Sequence, residues 1–115
     1  MIGSVPLLPS HPPPSEEMLR AVRKMAETGK PLMPWMAGIW TYEGCPPLVG
    51  PRPPALQHVK SKDRAPEWWT TRHTITGLDR RKWVRPVETP GRLMADWPRA
   101  ITPLGEQAAA EASPS

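Results

Sequence analysis

The chain has 115 residues and a formal net charge of +4, with 18 prolines, 8 glycines, 6 tryptophans, one tyrosine, no phenylalanine and one cysteine. That length allows one small domain at most, and Leu, Ile and Val together supply only 19 residues, below the roughly 20% under which a chain struggles to offset its own ordering entropy. A lone cysteine excludes an intrachain disulfide framework and a CxxC zinc site, and no apolar run approaches the ~18–20 residues of a membrane span.

With so few aliphatic side chains and prolines in most stretches, the expected fold class is mostly irregular and extended. One α-helix over about 16–28, one or two short elements and no independent globular core are predicted. Order would then come from surfaces outside the chain.

In chain order, residues 1–14 hold five prolines, three of them consecutive at Pro12–Pro14. Proline fixes φ and pushes its predecessor toward extended geometry, so this stretch reads as a polyproline-like arm. No Lys or Arg precedes Arg20, so neither the charged start of a signal peptide nor an Arg-rich transit pattern is present, and no cleavable presequence is expected.

Residues 15–29 read as an amphipathic helix. Ser15 is an N-cap, and Glu16 and Glu17 occupy the first turn, where the helix dipole favours anions. Met18, Val22 and Met25, joined by Leu19 and Ala26, recur at i, i+4, i+7. Gly29 suits a left-handed cap and Pro31 prevents continuation. The apolar stripe is expected to bury itself on a partner.

Residues 30–57 form a Pro/Trp-rich segment, in which Trp35–Tyr42 reads as one short helix or strand. Around Cys45-Pro46-Pro47 and Pro51–Pro54 the chain is expected to be extended. In the basic segment 58–87, the β-favouring run 68–76 suggests a strand. Thr76-Gly77-Leu78-Asp79 fits a capping box for a short helix through Val84, with a hairpin return as the alternative. Residues 88–115 read as an extended tail with a short helix over 104–112.

Between His58 and Arg85 lie eight Lys or Arg against three acids, with Trp68, Trp69 and Trp83 interleaved. Guanidinium and ammonium groups neutralise phosphates while indoles stack, which is how unpaired RNA is held. Arg72, Arg80, Arg81, Lys82 and Arg85 are therefore the candidate contacts to RNA or to anionic lipid headgroups. Trp and Arg are also the residues most enriched at protein hot spots. On that ground Trp35, Trp40, Trp68, Trp69, Trp83 and Trp97, with Met18, Val22 and Met25, are the candidate protein-binding residues.

Catalytic and metal signals are weak. His58, His73 and Cys45 lack the close ligand pairs of zinc sites. Ser61, His73 and Asp79 lack a nucleophile elbow, and there is no phosphate-binding glycine loop. The expectation is a chain that is not an enzyme and binds no cofactor, metal or small-molecule substrate. Taken together, these features predict a non-catalytic accessory subunit of a large assembly, such as a mitochondrial respiratory-chain complex or ATP synthase. It would lie on the membrane-extrinsic side of the inner membrane and staple several protein subunits through extended arms. The alternative is a mitochondrial ribosomal protein contacting RNA through residues 58–85.

Overall fold

The computed structural model describes residues 13–60 and 62–112; positions 1–12 of the expected arm lie outside them. Ser15 opens the first helix, α1 (Glu16–Thr28), its side-chain oxygen accepting from the Met18 N–H at 3.1 Å. Gly29 closes it at φ 68°, its N–H donating to the Met25 carbonyl at 2.8 Å. Ala21, Val22 and Met25 are buried on the inner side.

Residues 32–42 form an antiparallel hairpin of β1 (Leu32–Met36) and β2 (Ile39–Tyr42). Its two-residue turn, Ala37–Gly38, has φ of 51° and 79°, the doubly left-handed geometry that matches the twist of the flanking strands. After a long loop come β3 (Thr70–Thr71), α2 (Arg72–Arg80), β4 (Val84–Pro86), β5 (Arg99–Ile101) and α3 (Pro103–Ala112). The strands make one antiparallel sheet in the order β3-β2-β1-β5-β4.

All three helices share a core with this sheet: Ala21, Val22 and Met25 of α1, Leu32, Trp40, Ile75, Leu78, Val84 and Ala109. Strand alternation sends the neighbours of Trp40 the other way. Ile39 joins a second cluster with Leu56, Val59 and Ala65, edged by Trp35, Met36, Leu48 and Trp69. The proline-rich loop thus folds over its own end of the sheet.

The expectation of a mostly irregular chain without a core is therefore corrected: three helices pack on a five-stranded antiparallel sheet. The aliphatic count misled because the few aliphatic side chains are concentrated inside: eight of the thirteen buried hydrophobic residues among those described are Leu, Ile or Val, and Trp40, Met25 and three alanines complete the core. Trp40 and Met25 are the largest fully buried side chains, and a buried residue of that size contributes on the order of 2–3 kcal/mol. Two of the prolines also fall where they cost little. Pro86 ends the edge strand β4 and Pro103 starts α3, positions where a missing N–H is tolerated.

Local expectations shift in the same way. Trp35–Tyr42 is parts of two strands and a turn. The 68–76 strand shrinks to Thr70–Thr71, and Thr76 lies inside α2, whose N-cap is Thr71. The helix stops at Arg80 because Lys82 takes φ 61°. There the Lys82 N–H reaches the Asp79 carbonyl and the Trp83 N–H reaches Leu78 at 3.1 and 3.2 Å, a Schellman closure built without glycine. Residues 88–98, expected to be extended, are the connection of a β4–β5 hairpin.

Candidate nucleic-acid interface

Residues 72–99 contain seven Lys or Arg and three acids; the rest of the chain has eight of each. The entire formal excess of +4 thus sits on α2 and the β4–β5 hairpin. Folding then pairs two of the three acids with arginines. Asp79 accepts from Arg99 at 2.9 and 3.2 Å, and Asp96 pairs with Arg72 at 2.7 Å. Among the described residues, Glu88 is the one acid of this region outside an ion pair.

These two pairs set the geometry of the site. Arg72 is the first residue of α2, and besides Asp96 it donates to the Ala95 carbonyl at 3.1 Å. Arg99 reaches back to the Trp97 carbonyl and, at 3.5 Å, to that of Met94. Both guanidinium groups lie over the Trp40 ring, 5.3 and 5.5 Å from its centroid. A buried indole stacked by two cations therefore ties the hairpin loop to the start of α2. The buried Trp40 Nε1–H has no acceptor among the described residues, a desolvated donor costing about 1–3 kcal/mol that the stacking and burial of the ring offset.

The loop is further shaped from within. Thr89–Arg92 is a turn, with the Arg92 N–H donating to the Thr89 carbonyl at 3.2 Å and Gly91 at φ 84°; proline then glycine at its centre is the type II signature. The Trp97 Nε1–H donates to the Arg92 carbonyl at 3.0 Å. Leu93 and Met94 beside it are 76% and 63% exposed.

On α2, His73, Thr76 and Arg80 form the exposed side, spaced i, i+3, i+7 on one face without an acid. Arg80, Lys82 and Arg85 are exposed, and no carboxylate among the described residues pairs with them. Arg81 lies against its neighbour Trp83, 5.4 Å from the ring centroid. Of the five basic residues expected to meet an anion, Arg80, Lys82 and Arg85 face solvent, Arg81 stacks on Trp83, and Arg72 is spent holding the hairpin.

The expected protein anchors are mostly turned inward. Val22, Met25 and Trp40 have no exposed surface, and Met18, Trp68 and Trp83 pack at the edge of the first core. Trp35 and Trp69 pack at the second, and Trp97 is half-buried in the hairpin. In this fold they hold the chain to itself. Sequence reading passed over Arg92, Arg99 and Asp96. The Thr-Pro-Gly-Arg turn at 89–92, flanked by Val84 and Ile101, was the available signal for a hairpin; the long-range ion pairs had none.

Elsewhere, Arg20 lies 4.7 Å from the Trp68 ring centroid and donates to Glu17 at 2.7 and 2.9 Å. That bond, with a second from Thr70 at 2.9 Å, holds the Glu17 carboxyl below its ordinary range. A hydrogen bond to Cys45, with burial, pushes the Tyr42 phenol up. A hollow of about 230 Å³ is lined by Tyr42, Cys45, Trp35 and Arg64 among others. No group of three or more His, Cys, Asp or Glu among the described residues could hold a metal ion. No described helix is long and apolar enough to cross a membrane. Compared with known proteins, the chain matches no family model, no curated protein and no solved structure.

Proposed function

We propose that this chain binds duplex DNA through the outer face of α2 and the β4–β5 hairpin. The observation that carries this reading is the confinement of the whole charge excess to residues 72–99. Arg80, Lys82, Arg85 and Arg92 are exposed there beside an acid-free helix face. Polyanions are attracted to such a surface regardless of sequence. An α-helix face fits the roughly 12 Å major groove of B-form DNA, whereas the A-form RNA groove is too deep and narrow for side chains to read. His73, Thr76 and Arg80 would face base edges, and Lys82, Arg85 and Arg92 the flanking phosphates.

Anisotropy of a labelled mixed-sequence duplex tests this. Binding should weaken steeply with salt, and Lys82→Ala or Arg92→Ala should each reduce the log–log salt slope by about 1. No binding at low salt, or binding that these substitutions leave unchanged, overturns the reading.

The exposed Leu93, Met94, Val49 and Leu104 favour a second reading, a non-catalytic subunit of a larger assembly, for which a mitochondrial inner-membrane complex or ribosome remains a proposal. Its premise of a coreless chain stapling neighbours no longer supports it. Co-sedimentation of the native chain with a large particle, resistant to DNase, would favour this second reading.

A further inference from the structure

We propose that the groove between α1 and α3 is where two copies of this chain meet in a symmetric dimer. The groove encloses about 440 Å³ and is lined by Arg23, Ala26, Glu27, Glu106, Ala109 and Ala110. Its alanines let a second backbone approach closely. The occupant is argued from charge. Arg23 on the α1 lip and Glu106 on the α3 lip are both exposed, and neither has an ion-pair partner among the described residues. Glu27 is already held by Lys24 at 3.3 Å. A groove with an exposed cation on one lip and an exposed anion on the other is complementary to itself. Under twofold symmetry, if residue i meets j then j meets i, so one contact geometry makes the Arg23–Glu106 pair twice.

None of these residues belongs to α2 or the hairpin, so the dimer stands apart from the DNA reading, and its test uses the full chain without DNA. Sedimentation equilibrium over a concentration series should show a monomer–dimer equilibrium. Arg23→Glu sets like charges opposite each other at both copies of the contact and should weaken association by about tenfold or more. The double variant Arg23→Glu/Glu106→Arg restores complementarity and should recover the dimer. At concentrations well below the dimer dissociation constant, circular dichroism melts of all three chains should coincide, since both positions are exposed. A chain that stays monomeric to its solubility limit, a dimer indifferent to Arg23→Glu, or a double variant no better than the single one each overturns the proposal.

Discussion

Arg99 carries more of the structure than any other single charged residue. Its side chain is 7% exposed, bonds both oxygens of Asp79, reaches the Trp97 carbonyl and lies over Trp40. Arg99→Ala would leave Asp79 unpaired and the loop carbonyls unsatisfied, so a loss of about 3 kcal/mol is expected in urea unfolding. Glu17 makes a different kind of prediction. Its folded pKa is depressed, so the stability it contributes is present above the unfolded carboxylate value and is lost as pH falls through about 4 toward the lower folded value. Glu17→Gln should flatten that part of the stability–pH curve; an unchanged acid limb would show that other carboxylates dominate. The partial exposure of the pair keeps the effect small.

At the scale of elements, two turns carry side chains that their backbones do not favour. Lys82 closes α2 at φ 61°, where a Cβ costs about 1 kcal/mol. Lys82→Gly should therefore raise stability by roughly that amount while weakening DNA binding, a split that separates fold from function. Ala37 holds the first position of the β1–β2 turn at φ 51°, where asparagine is preferred, so Ala37→Asn should stabilise by about 0.5 kcal/mol. Gly105 behaves oppositely. A Cβ there would sit 2.2 Å from the Trp83 carbonyl oxygen, so Gly105→Ala should cost about 2–3 kcal/mol by forcing α3 off the β4 end of the sheet. A melting series of the three variants checks both signs. Legibility followed the same division. α1 was readable because its cap, stripe and stop signals are all local. The β1–β2 hairpin was not, because Ala-Gly is a weak turn signal and both of its strands carry prolines or bulky side chains that suit several conformations.

Across the whole molecule, the two clusters on opposite sides of the sheet share β2, with Ile39 in one and Trp40 in the other. They should therefore unfold together. A single coincident urea transition by near-UV tryptophan signal and far-UV dichroism is expected; two separated transitions would show that the loop over the second cluster folds independently. What the sequence alone determined is whatever depends on neighbours along the chain: α1 and its caps, the approximate place of α3, the basic character of the 72–85 stretch and the absence of a disulfide. The tertiary structure decided which of those features are available to a partner. Trp40 could be known as an anchor only once the hairpin was closed, and Arg72 could be known as spent only once Asp96 lay beside it. Burial and ion pairing over twenty or more residues of separation are properties of the packed chain, and a linear pattern of residue types does not contain them.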